Sequence, residues 1–237
     1  HLNQPHHRYI GLEALKTLFR EKQDEHQLMA SLEKRFGRME VLRVKSVIIG
    51  EGSVGETCLM LVAGGYSFPS EYISPIYDID NIPCTPPLTQ HYRLPSMFVS
   101  IWDTAGQHDY DRLRPLAYPE THVFVLCFSV VNRLSFELVE RRWLPEIMAH
   151  HPLAVVMLIG TKCDLRASYQ NKLQQLMHVS REEAEHLAKH HNFIVYHETS
   201  ALNNIGIDDM VPLIGQCALL ADSELFRSRR RNKCILS

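Results

Sequence analysis

Four short groups of residues carry the side chains of a nucleotide site. The first is GEGSVGET, residues 50–57, which follows the G-x-x-x-x-G-K-[ST] phosphate-loop pattern except that Glu56 stands in the lysine position. Gly50, Gly52 and Gly55 let backbone N–H groups close on phosphates, and the following helix N-terminus favours an anion. Ser53, Val54, Glu56 and Cys58 complete the stretch that faces the phosphates, and Thr57 offers a hydroxyl to Mg2+. The second group is WDTAGQ, residues 102–107. There Asp103 can hold Mg2+ through water, Gly106 can present an N–H to a terminal phosphate, and Gln107 is placed to orient an attacking water. The third is TKCD, residues 161–164. A carboxylate at Asp164 accepts two hydrogen bonds from the N1–H and 2-amino edge of guanine, which adenine does not offer, while Lys162 lies along the base and Thr161 ends the strand before it. The fourth is TSAL, residues 199–202, where Ser200, Ala201 and Leu202 cap the base with backbone N–H groups. Each tetrapeptide alone is weak. In this order they specify a guanine nucleotide, and Asp164 with the TSAL loop argues against an ATP-using kinase.

Such side chains have to be gathered by a scaffold, and the pattern of the chain supplies one. VLRVKSVIIG (41–50), SMFVSIW (96–102), HVFVLCFSV (122–130), LAVVMLIG (153–160) and FIVYHETSA (193–201) are apolar, β-branched runs. Helical patterns lie near 55–62, 107–117, 133–150, 182–191 and 207–220, the last with Pro212 placed at its first turn or so. Strands alternating with helices imply an α/β sandwich with a mostly parallel sheet. Near-continuous apolar strands imply that both sheet faces are covered. Ligands then sit at the carboxyl ends of the strands, where each of the four groups falls.

The segment WDTAGQHDYDRLRPLAYPETHVFVLCFSV, residues 102–130, closely resembles the small GTPases of the Rho family. The resemblance extends from about residue 41 to the end of the sequence. It implies a P-loop NTPase-type three-layer α/β sandwich, with a six-stranded, mostly parallel sheet and helices on both faces. It also implies GTP or GDP with Mg2+ as ligands. FPSEYISPIYD (68–78) is similar to the family's first switch loop, in which the residue at Phe68 packs on the guanine. RASYQNKLQQLMHVS (166–180) resembles its insert helix. Effectors and regulators would then engage residues 68–78 and 103–115. The first 40 residues lie outside the resemblance, as does a segment around IDNIPCTPPLTQ (79–90).

Two departures touch the phosphates. The family's lysine contacts the β- and γ-phosphates, and Glu56 replaces it with a carboxylate. Protonation of Glu56, or a closer Mg2+, would soften the effect. Pro75 stands where the family has a threonine that gives a hydroxyl to Mg2+ and an N–H to the γ-phosphate; proline has neither. His108 follows Gln107 where the family has an acid, so Glu56 and His108 form a possible charge-reversed pair, with coincidence as the equal alternative. Two functions therefore stand: a membrane-anchored GTP switch with slow, impaired hydrolysis, and a GTPase-like interaction protein holding nucleotide weakly or not at all.

The remaining features bear on place and partners. The sequence divides into a helical extension (1–40), the GTPase-like domain (41–222) and a basic tail (223–237). The tail ends in Cys234-Ile-Leu-Ser, a C-a-a-X pattern favouring farnesyl on Cys234. Arg227, Arg229, Arg230, Arg231 and Lys233 supply the second signal that stable anchoring needs. The expected place is the cytoplasmic face of the plasma membrane or endomembranes, with some protein in the cytosol. The expected partner is an anionic membrane, with no nucleic acid. The first residue is His1, which points to processing, trimming or an incomplete chain. No signal peptide is apparent, and the six scattered cysteines form no C-x-x-C pair, which fits reduced thiols rather than a zinc site or disulfides. Histidine pairs at 6–7, 150–151 and 190–191 invite a metal reading; surface histidines are the blander reading and the one taken.

Overall fold

The run of β-branched residues beginning at Val41 forms β1 (Val41–Gly50), whose side chains from Val47 to Ile49 are fully buried. A computed structural model describes residues 41–71, 78–85, 96–104, 106, 110–167 and 177–222. β1 sits at the centre of a six-stranded sheet ordered β2-β3-β1-β4-β5-β6. Its neighbours β3 (Ser96–Asp103) and β4 (Val123–Ser129) run parallel to it, as do β5 (Val156–Thr161) and β6 (Val195–Glu198) further along. Only β2 (Asp78–Cys84) is antiparallel.

Two apolar cores flank the sheet. On one face, α1 (Glu56–Ala63) and α5 (Ile207–Asp222) contribute Leu59, Met60, Met210, Ile214 and Cys217 against Ile48, Val125 and Ile159. On the other, Trp143, Leu144, Ile147, Ala184 and Ala188 pack on Val47, Leu126 and Leu158. They come from the π-helical turn (Val139–Trp143), α3 (Leu144–His150) and α4 (Arg181–His190), while Phe136 and Leu138 of α2 (Arg133–Leu138) pack against the same core. Alternate residues of each strand therefore serve opposite cores, which is why the strands read as continuous apolar runs. This is the three-layer sandwich that the sequence implied.

Several details depart from the sequence reading. β2 arises in the segment 79–90, which no pattern marked. It is an edge strand with exposed Asp78, Asp80 and Asn81, a register irregularity between Ile79 and Ile82, and Asn81 at φ 59°. Pro83 is tolerated there because an edge strand need not donate every N–H. The helix expected near 107–117 appears, among the described residues, only as a short 3-10 turn at Arg114–Ala117, with Pro115 in its first positions. The helix expected over 133–150 is interrupted by a π-helical turn at Val139–Trp143. Pro145 just beyond it has no N–H to give, and its ring crowds the carbonyl four residues back. Pro212 is the sixth residue of α5, deeper than its expected place at the first turn. β6 ends at Glu198, shorter than the run 193–201.

The five cysteines among the described residues are free thiols. Among the described residues no helix is long and apolar enough to cross a membrane. The extension 1–40, Ser74, Pro75, Gln107, His108, most of the expected insert helix and the tail with Cys234 lie outside the described residues.

Candidate functional site

The carboxyl ends of β1, β3, β5 and β6 open on one cavity of about 470 Å3. Its lining includes every described residue of the sequence-derived site apart from Gly50, which underlies it: Gly52, Ser53, Val54, Gly55, Glu56, Thr57, Cys58, Phe68, Asp103, Gly106, Thr161, Lys162, Asp164, Ser200, Ala201 and Leu202. Pro69, Glu71, Thr104 and Leu165 join them.

The phosphate loop is shaped by its glycines and fastened from outside. Gly55 takes φ 102°, open to glycine at no steric cost, and no side chain caps α1. The N–H groups of its first turn thus face the cavity. Thr161 Oγ1 donates to the Val54 carbonyl at 2.6 Å, and Lys162 Nζ donates to the Ser53 carbonyl at 2.7 Å. Lys162, assigned from sequence to the base, therefore also grips the phosphate loop. Thr104 Oγ1 donates to the Ile48 carbonyl at 2.6 Å, fixing the chain after β3 against β1. Gly106 comes so close that an added Cβ would lie 2.3 Å from the Gly50 carbonyl oxygen and 2.9 Å from the Gly52 nitrogen. A Cβ on Gly52 meets nothing within 4 Å. Gly106→Ala should therefore cost about 1–3 kcal/mol of stability by overpacking, and Gly52→Ala under about 0.5. Denaturant unfolding of the two variants side by side checks this.

A chain of charges runs outward from the loop. Glu51 accepts from the Gly52 N–H at 3.0 Å and pairs with Arg142 at 3.0 Å. Arg142 also pairs with Asp111 at 2.8 Å, and Asp111 with the buried Arg114 at 2.9 Å. Arg114 Nη1 donates to both oxygens of Glu146 at 2.8 and 3.0 Å, and Tyr118 donates to the same carboxylate at 2.5 Å. Both arginines lie over the Trp143 ring. The segment after β3, the phosphate loop and the α2–α3 helix are thus one electrostatic unit. Sequence reasoning missed it, since its members are scattered over nearly a hundred residues.

Thr57 Oγ1 donates to Asp103 Oδ2 at 2.6 Å, so the hydroxyl and carboxylate assigned to Mg2+ already face each other. Next to them lies Glu56, at 8 % exposure, with Oε1 lacking any hydrogen-bond partner among the described residues. Burial pushes its carboxyl well above the usual carboxylate range; the charge of Asp103 adds to this, Arg114 opposes it, and Glu51 adds again. Arg114 is thus a cation acting on Glu56. The proposed partner His108 lies outside the described residues.

The TKCD and TSAL loops are held from behind. Glu198, at 8 % exposure, receives both guanidinium nitrogens of Arg166 at 2.9 and 2.8 Å, the Tyr196 hydroxyl at 2.8 Å and Arg181 at 3.0 Å. Arg166 belongs to the 3-10 turn Cys163–Ala167 that carries Asp164, and Glu198 directly precedes the TSAL loop. The Cys163 N–H also donates to the Thr199 carbonyl at 3.1 Å. The only sequence signal for this brace was a glutamate at the end of an apolar run.

A model of the Ras family matches residues 45–218. The chain belongs to the Ras family. Members of this family are small GTP-binding proteins that generally bind GTP or GDP with Mg2+. The match begins within β1, ends within α5 and covers every strand and helix between them. Against these Ras-family ligands, two parts of the cavity fit. Asp164, Lys162 and the TSAL loop meet at one end, where a guanine would lie, and Thr57 with Asp103 forms a hard oxygen pair suited to Mg2+. The part between them does not fit: a buried carboxyl with an unsatisfied oxygen occupies the lysine position beside the phosphates.

Proposed function

We propose that this protein is a Rho-like, lipid-anchored small GTP-binding protein that holds guanine nucleotide weakly and acts chiefly by presenting its switch surfaces to partners. The observation that carries the reading is Glu56, a buried carboxyl with no hydrogen-bond partner on Oε1 among the described residues, lining the cavity at the phosphate loop. Affinity would then come from the guanine end and from Mg2+, which Thr57 and Asp103 would help to hold. Charge developing on transferring phosphates meets no lysine at position 56, so hydrolysis is slow even where binding occurs. Pro75 in the first switch loop works in the same direction by removing a hydroxyl and an N–H. Effectors and regulators bind residues 68–78 and 103–115; the exposed Phe68, Tyr110 and Leu113 in these stretches support this.

The test is to purify the protein, identify any nucleotide that accompanies it, and titrate GDP and GTP with and without Mg2+. Weak binding that depends on guanine is expected. Tight, Mg2+-dependent GTP binding with turnover at the rate of an ordinary Rho protein would overturn the reading.

The basic tail supports attachment to the cytoplasmic face of an anionic membrane through Cys234. Cys234→Ser should move the protein into the soluble fraction, and neutralising the five basic residues should weaken attachment in a salt-sensitive way. Fractionation that leaves Cys234→Ser on membranes would transfer the anchor to the first 40 residues.

A further inference from the structure

Away from the nucleotide cavity, the fold brings together three metal-ligating side chains that the sequence keeps fifty residues apart. Glu140, His190 and His191 each place a ligand atom within 4.8 Å of the others. Glu140 sits in the π-helical turn Val139–Trp143. His190 is the last residue of α4, and His191 is its C-cap, with φ −92° and ψ 5°. His191 Nε2 lies 2.9 Å from Glu140 Oε1. The His191 ring is seated by packing: it stacks on Phe193 at 5.7 Å and 27°, and meets His190 edge-on at 4.8 Å and 89°. Its side chain is 9 % exposed, whereas Glu140 is 53 % exposed and His190 is also exposed. One ligand is therefore fixed, and two are free to adjust.

We propose that Glu140, His190 and His191 form a site for a divalent transition ion of the Zn2+ type, joining the α2–α3 helix to the end of α4. Two imidazoles and one carboxylate are a borderline donor set that suits Zn2+ and leaves a fourth position for water. Mg2+, which prefers an all-oxygen octahedron, is selected against. Ligand bonds of about 2.1 Å in a tetrahedral site put donors about 3.4 Å apart. The pair Glu140–His191 is already closer than that, so His190 makes the main adjustment by side-chain rotation. The sequence alone supplied the paired histidines but no third ligand. The π turn, which follows from Pro145, sits at the helix position that faces the end of α4. A bound ion would tie together two helices that flank the same core, the first of which also carries Arg142 and Glu146 of the charged unit around the phosphate loop.

The experiment is a Zn2+ titration of the metal-free full chain without nucleotide, followed by calorimetry and by thermal unfolding, with Co2+ as a spectroscopic stand-in. With fourteen histidines in the sequence, the variants decide the location. One equivalent of Zn2+ is expected to bind, and Co2+ should show the visible d–d absorption of a four-coordinate site. Zn2+ at about a hundred times its Kd should raise Tm by roughly 5–10 °C. His190→Ala and Glu140→Gln, both at exposed positions, should each lower the affinity by roughly tenfold or more and remove the Tm rise. His191→Ala is a weaker test because that ring is packed. Absence of saturable binding would overturn the proposal. So would unchanged affinity in the Glu140→Gln/His190→Ala double variant, which would leave these residues as an ion pair and a ring contact only. Neither outcome touches the reading of the nucleotide cavity.

Discussion

Glu56→Lys should bind GDP and GTP about a thousandfold more tightly than the wild-type protein. The scaffold for that gain is in place. Gly55 holds its left-handed conformation, α1 has no side-chain cap competing for its first N–H groups, and Thr161 and Lys162 fasten the loop. What is missing is one cation. A unit charge pair at about 4 Å is worth about 4 kcal/mol at an effective dielectric near 20, which is close to a thousandfold in affinity. Glu56→Gln keeps the shape but supplies no cation, so it should gain far less than the lysine variant. The measurement is a fluorescent-nucleotide titration at fixed Mg2+, with each variant's unfolding curve as a control for folding. Equal affinities for wild type and Glu56→Lys would show that phosphate affinity is set elsewhere, in the first switch loop.

Glu198→Ala should lower stability by about 2–3 kcal/mol and loosen guanine binding several-fold. Removing one partner of a buried charged pair typically costs about 3–5 kcal/mol. The lower figure applies because Arg166 and Arg181 are 31 % and 49 % exposed and regain water. The Tyr196 hydroxyl, by contrast, is buried and loses its acceptor. The binding effect follows from position, since Arg166 shares its turn with Asp164 and Glu198 adjoins the TSAL loop. Acid should produce a related loss. Burial raises the Glu198 carboxyl, but hydrogen bonds from Arg166 and Tyr196 and the charges of Arg166 and Arg181 outweigh it, leaving the folded value lowered. The contribution is therefore fully present above the unfolded value of about 4.3, and is lost as the pH falls through the lower folded value. The stability gap between wild type and Glu198→Gln should narrow as the pH drops below about 4. A gap that stays constant through that range would mean that the carboxylate's charge is not what holds the loops.

The cavity was legible because its chemistry is carried by local motifs at strand ends. Gly50 to Thr57, Asp103, Gly106, Asp164 and the TSAL loop each need only a few neighbouring residues, and the sheet order brings them together automatically once the apolar runs form parallel strands. Side-chain braces were illegible for the opposite reason. Glu51, Asp111, Arg114, Arg142 and Glu146 look like ordinary surface charges along the chain, and only packing of the α2–α3 helix against the phosphate loop makes them partners. The edge strand β2 was hidden because one-sided, irregular burial leaves no period to detect.

By itself the sequence determined the alternation of strand and helix, the motifs that line the cavity and the presence of Glu56 at the lysine position of the phosphate-loop pattern, since each is a matter of residue type and short spacing. The tertiary structure decided that Glu56 is buried without a partner for Oε1 among the described residues, that Thr57 faces Asp103, that Glu198 braces the TKCD and TSAL loops, and that Glu140 meets the paired histidines. Each of these depends on the distance between residues remote in sequence, and that distance is fixed only when the two apolar cores close on the sheet.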